Sequence, residues 1–106
     1  MSEKPWPNFR GTLKGHKKIA VFGAGKAGVH NIPILGRHHD IIAILDNDST
    51  KWGTEIKGIK VSQPEAFDFD AVNFVVIASM YATEIRDQLK GLGVLHDQIK
   101  IMNKIR

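Results

Sequence analysis

The residues best equipped for chemistry form one short run, Gly23-Ala24-Gly25-Lys26-Ala27-Gly28, followed eighteen residues after Gly28 by Asp46. Three glycines at this spacing suit the binding of a pyrophosphate. Gly23 permits a tight exit from a strand. Gly25 carries no β-carbon, so main-chain N–H groups approach an anionic oxygen closely. Gly28 lets the following helix lie against what precedes it. The first amides of a helix have no intrahelical acceptor, and the helix dipole leaves them at its positive end. Lys26 adds a charge at the same point. A carboxylate at the end of the next strand, where Asp46 falls, accepts hydrogen bonds from ribose hydroxyls. Asp46 and Asp48 would repel a 2′-phosphate and no arginine follows at once, so a dinucleotide ligand would be NAD rather than NADP. Asp48 itself reads as a turn residue.

Other reactive side chains lack partners at useful spacing. Tyr81 has Ile85 four residues on, not the lysine that would lower a phenol's pKa in a short-chain dehydrogenase. His38 and His39 follow the first helix, away from the ligand edge, and are expected in solvent. His30 is expected to pack or lie on the surface, and no histidine pair has metal-ligand spacing with a supporting acid. Asp68 and Asp70 read as turn residues. Ser79, at the end of the third apolar strand, either bonds a phosphate or ribose, or caps the helix after it.

The segments that position these residues alternate in type. "KIAVFG" (18–23), "IIAILD" (41–46) and "NFVVIAS" (73–79) are short apolar runs of the sort found in strands buried on both faces, and "IKIM" (99–102) is a fourth. Helices are expected over 26–37 and 81–91. Pro33 should kink or break the first near Asn31–Ile32. Ile85, Leu89 and Leu92 form an apolar stripe on the second, which Gly93 ends. Lys57-Gly58 would turn a small hairpin between Glu55-Ile56 and Ile59–Val61, and Pro64 would open a short helix. Strand–helix alternation implies parallel pairing, hence an open α/β sheet of Rossmann type in one small three-layer domain over residues 17–106.

Composition narrows the class. The chain has 106 residues, no cysteine and no apolar run long enough to span a bilayer, so disulfides and thiolate metal sites are excluded. No secretory signal is evident, and a cytoplasmic location is expected. The net charge of +4 arises in residues 1–18, which hold five basic residues against Glu3; from residue 19 onward ten basic residues balance ten acidic ones. Residues 1–16 therefore read as a basic arm rather than the footprint of a nucleic-acid-binding face, and neither nucleic acid nor membrane insertion is expected. Trp6 and Phe9 in that arm, with Trp52, offer apolar anchors for a second subunit, so a homodimer or a partner catalytic domain is a reasonable expectation.

"IAVFGAGKAG", "IIAILDND", "KWGTEIKGIKV", "FVVIAS" and "EIRDQLKGLGV", in that order, resemble the Rossmann-like domains of bacterial polysaccharide biosynthesis. Similar segments precede the catalytic part of nucleoside-diphosphate-sugar dehydratases and epimerases. They also resemble the N-terminal domains of sugar O- or N-acyltransferases and domains attached to some methyltransferases. The resemblance covers residues 18–102 and implies phosphate contacts at Gly23, Ala24, Gly25, Lys26, Ala27 and Gly28, a ribose contact at Asp46, and Ser79 at the mouth. It implies NAD or a nucleotide sugar as ligand. Since no catalytic sequence follows residue 106, the expectation is a module that binds without catalysing alone. The alternatives are part of an NAD-dependent nucleotide-sugar enzyme completed by another domain or subunit, an S-adenosylmethionine site, or a ligand-free dimerisation domain.

Overall fold

The computed structural model describes residues 16–102. The arm over 1–16, with Trp6 and Phe9, lies outside the described residues except for His16. Six strands and two α-helices follow in the order β1 (Lys18–Phe22), α1 (Lys26–Gly36), β2 (Asp40–Leu45), β3 (Glu55–Ile56), β4 (Ile59–Ser62), β5 (Phe74–Ile77), α2 (Ala82–Gly91) and β6 (Ile99–Ile101). The strands form one sheet in the order β3-β4-β2-β1-β5-β6. All pairings are parallel except the β3–β4 hairpin. The expected open α/β sheet is therefore present.

β1 lies at the centre because both of its faces are apolar. Ile19 and Val21 point to one side, where Val76 and Ala78 join them. Ala20 and Phe22 point to the other and pack with Leu45, Ile77, Ile85 and Leu89. These four of the five β1 residues are almost fully buried, and a side chain such as Phe22 gains about 1.5–3 kcal/mol from that burial. α1 lays Ile32 on the first side, beside Ile44 and Val61. α2 lays Ile85 and Leu89 on the second. The two helices thus cover opposite faces, and the connections leaving β1 and β5 part between these two neighbouring strands. That parting makes a crevice at the carboxyl edge of the sheet.

Three details differ from the sequence expectation. Pro33 does not break α1, which runs through to Gly36. One backbone donor is lost, yet Pro33 is exposed, so water can reach its side of the helix. Asn31, the one buried polar residue among those described, bonds the Ala27 carbonyl through Nδ2 at 2.7 Å. Leu92 is not part of the buried stripe. It is the C-cap and 37% exposed, and Val94 takes its place in the core. The cause is a Schellman turn: Gly93 adopts φ 95°, its N–H bonds the Lys90 carbonyl, and the Val94 N–H bonds the Leu89 carbonyl. Finally, Pro64 opens only a 3₁₀ turn, Pro64–Ala66, followed by a second, Phe69–Ala71. Asp68 caps the latter as a turn residue, and Phe67 and Phe69 meet edge to face at 5.1 Å against the α2-side core.

His39 also departs from the solvated role expected of it. It is half-buried, edge-on to Phe74 at 5.3 Å. Burial, with His38 and His16 nearby, pushes its pKa below the ordinary imidazole value. The folded state then prefers neutral His39 while the unfolded chain protonates from about pH 6.5 downward. Stability is fully present above that pH and falls as the solution is acidified towards the folded-state value. The urea midpoint should drop between pH 7.5 and 5.5, and His39→Phe should lessen the drop. An equal drop in the variant would place the pH dependence elsewhere.

Candidate functional site

The crevice between the ends of β1 and β5 opens into a cleft of about 970 Å³. Its walls are built by Phe22 and the glycine turn on one side, Ala78–Ala82 and the first turns of α2 on another, and Asp46, Asn47 and Lys51 from the chain after β2. The strand ends are stitched together beneath it. Gly23 N–H bonds the Leu45 carbonyl at 2.8 Å, and Ala78 N–H bonds that of Phe22 at 2.9 Å.

The three glycines have different physical reasons for being there. Gly23 has φ 131°, and a β-carbon on it would lie 2.4 Å from the Ala78 carbonyl oxygen. Gly28 is tighter still, since a β-carbon there would lie 1.7 Å from the Gly23 carbonyl oxygen. Both positions are forced by the packing of main chain on main chain. Gly25 is not. Its φ and ψ are −84° and −166°, open to any L-residue, and a β-carbon on it would meet nothing within 4 Å. It is the N-cap of α1, and the helix has no side-chain cap and no acid in its first turn. The positive end of α1 therefore faces the cleft with no counter-charge from its own first turn, and Lys26 is exposed beside it.

Asp46 follows β2 directly and is tied to the turn. Its Oδ2 accepts from Ala24 N–H at 2.7 Å and its Oδ1 from Asp48 N–H at 2.8 Å. The carboxylate is thereby held at the cleft wall, and the Ala24 amide is spent on it. Of the predicted phosphate-binding residues, Gly23, Gly25, Lys26 and Ala27 line the cleft. Ala24 and Gly28 are buried and shape the turn. Ser79 also lines it, with its Oγ accepting from Tyr81 N–H at 3.1 Å, so its hydroxyl anchors the start of α2. Asp48 caps the 3₁₀ turn Ser49–Lys51, accepting from the N–H and hydroxyl of Thr50. Those bonds hold its carboxyl below the usual range.

Several cleft residues were not singled out from the sequence. Lys51 reaches back to the Ala24 carbonyl, 3.5 Å from its Nζ. The turn-forming Asp48-Ser49-Thr50 before it was the available signal. Asn47 and Gln88 exchange two side-chain hydrogen bonds of 2.9 and 2.8 Å, and Gln88 also bonds Glu65 at 3.1 Å. These residues lie 41 positions apart, and no local pattern announces such a pair. Met80, 85% exposed, stands at the mouth, beside Tyr81, the phenol weighed above for catalysis, which is 61% exposed. Among the described residues, no cluster of side chains could hold a metal ion, and no helix is long and apolar enough to cross a membrane.

This architecture, an open parallel sheet with a glycine turn and an acid at its switch point, defines the Rossmann-like class. Residues 15–102 match the family model described as C2185-like, N-terminal, and the chain belongs to that family. A comparison with curated proteins finds no match. Among solved structures it is similar to UDP-D-quinovosamine 4-dehydrogenase from Vibrio fischeri, with a TM-score of 0.62 and 21% identity over 81% of this chain and 75% of that one. It is also similar to RSP, a Rex-family repressor, at a TM-score of 0.65 and 17% identity over 87% of this chain and 54% of that one. RSP has been solved with β-NADH, and with β-NAD+ and operator DNA. The chain spans about half the length of the repressor. At these identities the likeness is one of fold.

Proposed function

We propose that this chain is a nucleotide-binding module that holds NAD(H) or a nucleotide sugar and serves surface-polysaccharide biosynthesis, binding its ligand without transforming it alone. One observation carries the reading: Gly25 is bare where nothing in the fold requires it, at an uncapped helix start that opens into the cleft. A turn kept only for its shape would need Gly23 and Gly28 and would tolerate a side chain between them. The neighbours described with NAD+ and NADH favour NAD. In this arrangement the amides of Gly25 to Gly28 face the phosphates, Lys26 adds charge, and Asp46 accepts from the ribose with the lone pairs its own two bonds leave free.

A second reading follows from the dehydrogenase neighbour. Here the module is part of an NAD-dependent nucleotide-sugar epimerase, dehydratase or dehydrogenase completed by another domain or subunit. Operator DNA belongs to the description of the repressor; for this chain the balanced charge from residue 19 onward favours a nucleotide ligand.

Calorimetry and thermal melting with NAD+, NADP+, a UDP-sugar, coenzyme A and S-adenosylmethionine test the proposal. A ligand at a hundred times its Kd should stabilise by about 2.7 kcal/mol. Asp46→Asn should weaken NAD+ about tenfold, the loss of one charge-assisted hydrogen bond, while changing inorganic pyrophosphate little. Equal weakening of both would contradict the ribose role, and no response to any compound would support a ligand-free dimerisation domain.

A further inference from the structure

We propose that Lys51 is a ligand-binding residue of the cleft, and that together with Lys26 it makes the site select ligands carrying a phosphate chain over uncharged or cationic adenosyl compounds; this rests on the nucleotide-binding reading. Lys51 ends the 3₁₀ turn Ser49–Lys51, and that turn is fastened by several hydrogen bonds. Lys51 N–H bonds the Asp48 carbonyl at 3.0 Å, and the Thr54 hydroxyl bonds the Lys51 carbonyl at 2.6 Å. The next residue, Trp52, donates its indole N–H to the Asp46 carbonyl at 2.7 Å and packs on the core around Ile44 and Val61. The main chain of Lys51 is thus fixed to the strand end that carries Asp46, and its side chain returns over the glycine turn.

The ammonium feels the charge of the Asp48 carboxylate, one of whose oxygens is already taken by Thr50, and is otherwise weakly engaged. An ammonium has three donors. The acceptor given to it among the described residues is the Ala24 carbonyl at 3.5 Å, the outer limit of a hydrogen bond. Ala24 sits between Gly23 and Gly25, so the charge hangs beside the amides at the start of α1. Lys26 approaches from the helix itself, Lys51 from the chain after β2. The acids at the cleft are Asp46, whose oxygens already accept two N–H groups, and Glu84 on the first turn of α2. Two lysines flanking bare amides suit a pyrophosphate, which brings more negative charge than the single Asp48 carboxylate near Lys51. They disfavour S-adenosylmethionine, whose sulfonium brings a positive one.

Calorimetry on the full chain with adenosine, ADP, NAD+, a UDP-sugar and S-adenosylmethionine, for wild type, Lys51→Met and Lys51→Arg, tests this. Lys51→Met keeps the stem and should melt within a few degrees of wild type. It should weaken ADP and NAD+ about tenfold, as loss of a partly exposed charge-assisted bond does. It should also flatten the salt dependence of their affinity, leave adenosine within about twofold, and regain most of the loss as Lys51→Arg. Unchanged ADP and NAD+ affinity in Lys51→Met, or equal loss for adenosine and ADP, overturns the role of Lys51 and leaves the nucleotide reading standing. Wild-type protein that binds none of adenosine, ADP, NAD+ and a UDP-sugar overturns both.

Discussion

Gly28→Ala is expected to lower the stability of this domain by about 2–3 kcal/mol, a loss of about 10–20 °C in Tm for a chain of this size. Two effects compete. Alanine is the better helix former, and in an open helix interior the exchange would gain about 1 kcal/mol. Against that, the new methyl would sit 1.7 Å from the Gly23 carbonyl oxygen and 2.6 Å from its carbon. Both are main-chain atoms that cannot swing aside as a side chain would. Relief requires α1 to move away from the turn, which disturbs the Ala24–Asp46 bond and the seat of Ile32. Overpacking costs typically 1–3 kcal/mol and more when the neighbour is rigid, so the clash outweighs the propensity. Thermal melting by circular dichroism decides the matter, and a variant that melts with the wild type would mean that α1 does not rest on the turn.

Gly25→Val is expected to behave in the opposite way: nearly native in stability and at least a hundredfold weaker for its nucleotide. The backbone at Gly25 is in a region open to L-residues, and the added β-carbon has empty space around it. The folding cost is that of a poorer N-cap, about 1 kcal/mol. The ligand meets a different situation. A phosphate oxygen must come within hydrogen-bond distance, about 2.9 Å, of the amides that follow Gly25, and an isopropyl group would occupy that approach. A hundredfold loss corresponds to about 2.7 kcal/mol, well within what the loss of two or more charge-assisted bonds delivers. The pair of variants separates shape from binding. Should Gly25→Val bind as well as wild type while remaining folded, the phosphates do not lie on this turn.

The contrast between these glycines shows what could be read before folding and what could not. The strand at 18–22, the acid after β2, the Lys57-Gly58 hairpin turn and the stop at Gly93 were legible because each depends on residues close together in the chain. Lys57 takes φ 53° and Gly58 φ 81°, the left-handed pair that a two-residue hairpin needs. The break allowed for at Pro33 and the burial expected of Leu92 misled for a related reason. A local rule places a break or a buried position, but exposure to solvent and the geometry of the cap are decided by where the helix docks.

Neighbouring residues alone specify the class of fold and set three glycines and an acid at the ends of adjacent strands, since buried strands and a strand–turn–helix junction are written in short stretches of chain. The folded chain was needed to show that Gly23 and Gly28 serve main-chain packing while Gly25 stands open. It alone brought Lys51 over the turn, joined Asn47 to Gln88 and spent the Ala24 amide on Asp46. Those facts arise where separate strand ends and helix starts converge on one edge, and contacts between residues distant in the chain carry no local signature.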